Sequence, residues 1–151
     1  MTTDTDTYTF SRDLALPPAR LWPLLTDADM RAAWGSPDES MTLTTLSTDV
    51  RVGGTDHHRC GPEDAPEFEQ HTRWYHLDEP SLATYTEVIQ AGGMAVGASL
   101  VTIAVAERST GSTVHVTVAA SSFVGPEMMA EFEGGWTGAF ENLVKLAEGT
   151  A

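Results

Sequence analysis

The chain has 151 residues, 41% hydrophobic and 20% charged, a balance that suits one globular domain with a real core and excludes general disorder. Its 8 basic and 22 acidic side chains leave a net charge of −14, which excludes a sequence-independent grip on nucleic acid and disfavours anionic membrane surfaces. The lone cysteine, Cys60, excludes an internal disulfide framework and a cysteine-built zinc cage, and the polar, acidic start lacks a signal-peptide pattern, so a cytoplasmic location is expected.

One domain is expected over residues 1–151, with 1–7 as a flexible polar tail. Tyr8, Phe10 and Leu14 then fall on even positions, the period of a strand. Pro17-Pro18 ends it and opens a helix with Leu21, Trp22, Leu24 and Leu25 on its apolar face. Thr26-Asp27 offers cap chemistry for a second short helix containing Met30, Ala33 and Trp34, stopped by Gly35, Ser36 and Pro37. From Met41 the pattern changes to a meander. Met41–Leu46, the segment around Gly53-Gly54, Phe68–Leu77, Leu82–Gln90, Ser99–Ala106 and Val114–Val118 read as antiparallel strands, with a loop over Gly61–Pro66 and turns at Gly92-Gly93 and Thr110-Gly111. Helical spacing returns after Pro126: Met129, Phe132, Trp136, Phe140, Leu143 and Ala147 step by three or four, as one buried face does. Gly134, Gly135 and Gly138 each weaken that helix by about 1 kcal/mol relative to Ala, so close backbone approach or room beside a ligand must favour them. Gly149 is the expected stop.

An antiparallel sheet with one apolar face needs a cover, and the long C-terminal helix supplies it. At this level the chain resembles the START-like (SRPBCC) superfamily, and within it the family of the C-terminal domain of the activator of the Hsp90 ATPase. The resemblance rests on Pro17 to Trp22 followed by Leu25-Thr26-Asp27, Trp34, Arg51-Val52-Gly53-Gly54, Asp78-Glu79-Pro80, Tyr85-Thr86, Val101-Thr102-Ile103, Gly111, and Gly135-Trp136 with Leu143. It implies an α+β helix-grip fold, a curved antiparallel sheet wrapped around the final helix with a cavity between them. It does not imply one function, since relatives include chaperone cofactors, carriers of apolar ligands, and cyclases and dehydratases.

The resemblance also exposes a departure. Relatives commonly carry bulky apolar residues at the second and fourth positions after Gly-Gly, and often an aromatic after the Tyr-Thr pair. Here those positions hold Asp56, His58 and Glu87. If alternation keeps all three inward, they form a candidate acid/base set, expected as catalytic residues on a carbonyl substrate. A one-residue slip would turn them all to solvent. Trp34, Gln70, Thr72, Trp74, Tyr85, Phe123, Trp136 and Phe140 are the expected ligand-binding residues, because small-molecule pockets are mostly apolar with a few polar anchors. His57, His58 and His71, with Asp56 and Glu69, fall on strands that can pair, but adjacent His57 and His58 point to opposite faces and His76 and His115 have no obvious partner, so ordinary exposed histidines are expected and neither a metal nor another cofactor is. Cys60 reads as a half-buried strand thiol that behaves as a small hydrophobe. The leading expectation is binding of a small hydrophobic or aromatic molecule by a monomer or homodimer, without nucleic-acid or membrane partners. A cyclase- or dehydratase-type enzyme and a chaperone-associated interaction domain are the alternatives.

Overall fold

The computed structural model describes residues 4–36, 39–62, 64 and 67–151. The chain begins with strand β1 (Asp4–Leu14), then helices α1 (Pro18–Thr26) and α2 (Ala28–Trp34). Six strands follow: β2 (Thr42–Ser47), β3 (Thr55–Gly61), β4 (Phe68–Asp78), β5 (Leu82–Ala91), β6 (Met94–Arg108) and β7 (Gly111–Ser122). Helix α3 (Pro126–Thr150) closes the chain. All the strands join one antiparallel sheet in the order β1-β7-β6-β5-β4-β3-β2, so the α+β architecture is the one the sequence pattern leads to.

Three boundaries differ from the sequence reading. Asp4 to Thr7, expected as tail, pair with Ser122 to Ala119 and extend β1, because β7 otherwise leaves a bare edge. Strand β6 begins at Met94 rather than Ser99. Its Ala95, Gly97 and Ala98 lack strand character, and Gly97 is needed because a Cβ there would clash with the Phe132 ring and stand 2.8 Å from the Ser121 carbonyl oxygen. Helix α3 continues one residue past Gly149 to Thr150. The expected stop at Pro37 and part of the Gly61–Pro66 loop lie outside the described residues.

Local chemistry explains the turns. Asp27 Oδ1 accepts the Asp29 and Met30 N–H groups at 3.0 and 3.2 Å and caps α2. Gly92 and Gly93 carry φ of +58° and +79°, the two left-handed residues of a tight hairpin.

Register places the site. Across the sheet, Trp74, Tyr85, Val101, Val118 and Tyr8 form one inward row. The next inward row is Asp56, Thr72, Glu87, Ser99 and Ala120. Helix α3 packs its Ala139, Phe140, Leu143, Val144 and Ala147 face against this side, over β1 and β7. Phe10 stacks on Phe140 and Trp136 at 5.4 and 6.4 Å, and fixes that end of the grip. Helix α2 reaches the other side of α3: Trp34 meets Trp136 at 6.2 Å, and Asn142 Nδ2 donates to the Trp34 and Ser36 carbonyls. The sheet beyond β6 is left uncovered by packed side chains of α3, and space remains there.

Candidate functional site

That space is a cavity of about 560 Å³ between α2, α3 and the β2–β6 part of the sheet. Its size lies within the roughly 300–1,000 Å³ typical of small-molecule sites. Trp34, Phe68, Phe132 and Trp136 give aromatic walls, and Met41, Leu43, Ile89 and Met128 add aliphatic surface. Gly134 and Gly135 line it as well, and a Cβ on Gly134 would meet nothing within 4 Å. Room beside a ligand, rather than close backbone approach, therefore fits Gly134. The polar lining includes Arg31, Gln70, Tyr85, Glu87 and Ser99.

Five of the residues singled out in the sequence border the cavity: Trp34, Gln70, Tyr85, Glu87 and Trp136. Asp56 and His58 face inward and are each 1% exposed, but neither lines the space. Thr72, Trp74, Phe123 and Phe140 do not line it either. Phe140 is consumed by core packing against Phe10. Phe123 follows the end of β7, where its N–H donates to the Val96 carbonyl at 2.9 Å. For Asp56, Thr72 and Trp74 the reason is one residue that sequence reasoning missed, Arg31.

Arg31 comes from the inner face of α2, where Ala28, Arg31 and Trp34 are all buried at a spacing of three. Its Nη1 donates to Asp56 Oδ2 in a buried ion pair, and Nη2 donates to Thr72 Oγ1 at 3.4 Å. The guanidinium lies 4.9 Å from the Trp74 ring centre and 5.4 Å from that of Tyr85. Arg31 borders the cavity while Asp56, Thr72 and Trp74 do not, so its side chain stands between them and the space. Stacked and paired in this way, the cation is held in a single pose.

Asp56 is correspondingly saturated. Its Oδ1 accepts from Thr48 Oγ1 at 2.8 Å and from the Asp49 N–H at 2.9 Å, while Oδ2 accepts from Trp74 Nε1 at 3.1 Å as well as from Arg31. Burial pushes this carboxyl up, but the Asp49 N–H, the Arg31 charge, the Thr48 hydroxyl and the Trp74 indole together hold it below the usual carboxylate range. An anion so held positions Arg31 and is a poor proton donor. Burial drives the His58 imidazole down to about 4, with the Arg31 charge adding to the effect and Asp56 opposing it. Among the described residues, neither ring nitrogen of His58 has a hydrogen-bond partner.

Glu87 is different. Burial raises its carboxyl above the usual range, and the nearby Arg31 charge offsets this only in part. The cavity thus presents, beside the Arg31 cation, a carboxyl that holds its proton more tightly than an exposed one does. Tyr85, in the adjacent inward position of β5, has its phenol pushed up by burial and then by Glu87, and stays protonated.

The family described as "Activator of Hsp90 ATPase homolog 1-like protein" matches residues 15–148. The chain belongs to this AHSA1 family. A crystal structure of a Chromobacterium violaceum protein superimposes with a TM-score of 0.80 at 24% identity, covering 94% of this chain and 96% of that one. A Rhizobium loti protein gives 0.82 at 21% identity, covering 96% and 99%. The AHSA1 protein of Silicibacter pomeroyi gives 0.73 at 17% identity, covering 93% and 96%. At these identities the likeness establishes the helix-grip fold and nothing finer. No curated protein matches the chain. Among the described residues, no helix is long and apolar enough to cross a membrane.

Proposed function

We propose that this AHSA1-family protein binds a small, largely apolar or aromatic molecule carrying a polar head, with the body against Trp34, Phe132 and Trp136 and the head at Glu87 and Arg31. The observation that carries this reading is the pairing of a cavity of about 560 Å³ with a raised carboxyl at its wall. An ionised Glu87 would face apolar walls at a cost, so a ligand oxygen that accepts a hydrogen bond from its neutral form is favoured.

Thermal-shift and calorimetric titration with naphthol and with naphthalene tests both parts. Wild-type protein is expected to bind naphthol more tightly than naphthalene, and Glu87→Leu is expected to remove that preference while keeping the aromatic affinity. No stabilisation by either compound would count against the reading. The pH dependence gives a second check. A carboxyl whose folded value is raised contributes its stability at low pH and loses it as pH rises through that folded value. Glu87→Leu is therefore expected to lose less stability than wild type between weakly acid and neutral pH.

The raised carboxyl also supports a second reading, in which Glu87 protonates a bound carbonyl as a general acid. In that case Asp56 acts only through Arg31, as a positioning residue. Glu87→Gln separates the two readings, because the amide still donates a hydrogen bond to a ligand but cannot transfer a proton.

A further inference from the structure

The sheet face turned away from the cavity carries its own cluster. Asp56 and His58 point inward, so His57 between them points outward, and in the register of β3 with β4 it stands directly opposite His71. Glu69 lies two residues before His71 and shares that outward face. The two imidazoles stack with ring centres 4.3 Å apart and planes 18° from parallel. His57 Nε2 lies 3.3 Å from Glu69 Oε1. One ligand atom from each of the three residues falls within 4.8 Å of the others.

We propose that His57, His71 and Glu69 form a binding site for one divalent transition-metal ion of the zinc class. Two facts favour this beyond proximity. Among the described residues, the Nε2 atom of His71 is sequestered from solvent without a hydrogen-bond partner, and that of His57 faces Glu69 Oε1 at 3.3 Å without forming a hydrogen bond, a condition that metal bonds would relieve. Both histidines also sit in regular, mutually paired strands rather than on loops, so their backbones are held side by side before an ion arrives.

The donor set selects the ion. Two imidazole nitrogens and a carboxylate oxygen suit zinc, nickel or copper, whereas calcium and magnesium prefer oxygen-only shells. Zinc–nitrogen bonds of about 2.0–2.1 Å place tetrahedral ligand atoms about 3.3 Å apart, so binding an ion requires the stacked rings to rotate and draw the three atoms together from within 4.8 Å. Water would take the fourth position. Arg59 stands opposite Glu69 in the register and is the charge that competes for its carboxylate. Among the described residues, the ion-pair partner of Glu69 is His57 rather than Arg59. Alternation alone rules out a shared site for His57 and His58. It does not disclose the cross-strand His57–His71 pair, which depends on the register of β3 against β4.

The test is calorimetric titration of chelator-stripped protein, made without a histidine tag, with zinc chloride. One ion per chain is expected, with magnesium and calcium giving no heat. His57→Gln and His71→Gln are each expected to weaken binding at least about tenfold, Glu69→Gln to weaken it less, and His76→Gln and His115→Gln to leave it unchanged. Zinc is also expected to raise the Tm of wild type and not that of His71→Gln, whose folding is checked by its far-UV spectrum. Absence of zinc binding, or binding that survives both His57→Gln and His71→Gln, would overturn the proposal.

Discussion

Asp56→Ala is expected to lower stability by about 3–5 kcal/mol, because removing one partner of a buried pair strands the other charge in a dry site. In its place Arg31 has the Trp74 and Tyr85 rings beside it and only a Thr72 hydroxyl at 3.4 Å to pair with. The loss extends to the Thr48 hydroxyl, the Asp49 N–H and the Trp74 indole, which all donate to the same carboxylate. For a chain of this length such a change corresponds to a drop of about 10 °C or more in Tm. Replacing both partners, as Arg31→Met with Asp56→Leu, is expected to cost far less than Asp56→Ala alone, since well-packed apolar residues often substitute for a buried pair. Denaturant unfolding of the two single variants and the double variant measures the coupling directly. A loss below about 1 kcal/mol in Asp56→Ala would mean that the pair is not buried as described.

The second large effect is acid lability centred on His58. The folded imidazole titrates near 4, against about 6.5 in the unfolded chain. The unfolded state therefore binds a proton across that interval and the folded state does not. Stability is fully present above about 6.5 and is lost as pH falls toward 4, by about 3 kcal/mol in all. Asp56 acts in the same direction at lower pH: its depressed carboxyl contributes stability above the ordinary carboxylate value, and loses it as pH falls through the folded one. Unfolding free energies measured at neutral pH and at pH about 5 are expected to differ by about 2 kcal/mol on account of His58. His58→Gln should remove most of that difference, although leaving Asp56 and its own acid transition in place. An unchanged slope in His58→Gln would show that the imidazole reaches solvent.

Much of this was legible in the chain because strands report their faces locally. A period of two puts Asp56 and His58 on one face of β3, the family resemblance adds Glu87, and the row through Asp56, Thr72, Glu87 and Ser99 holds because it lies between the register irregularities at Trp74/His76 and Ile89/Gln90. Arg31 was not legible in the same way. Helix α2 has only 7 residues, too few to display a stripe, and a charged residue within it reads as solvent-facing. The spacing Ala28, Arg31, Trp34 was its one signal, and it becomes informative only once an inward Asp56 demands a cation. The cavity border was hidden for a different reason. Which inward residues touch open space depends on where α3 rests, and that is decided by long-range packing of Phe10, Phe140 and Trp136. Alternation therefore marks Thr72, Trp74 and Glu87 alike, while tertiary packing leaves only Glu87 among them facing the cavity.

The central claim is that the space beneath α3 receives a ligand. The most direct measurement is calorimetric titration of naphthol into wild type and into Ile89→Trp and Ala139→Phe, two variants that add bulk at residues lining the cavity. Saturable binding of one molecule to wild type, weakened at least about tenfold in both folded variants, is the predicted result. Equal affinity in all three proteins, or none in wild type, would contradict it.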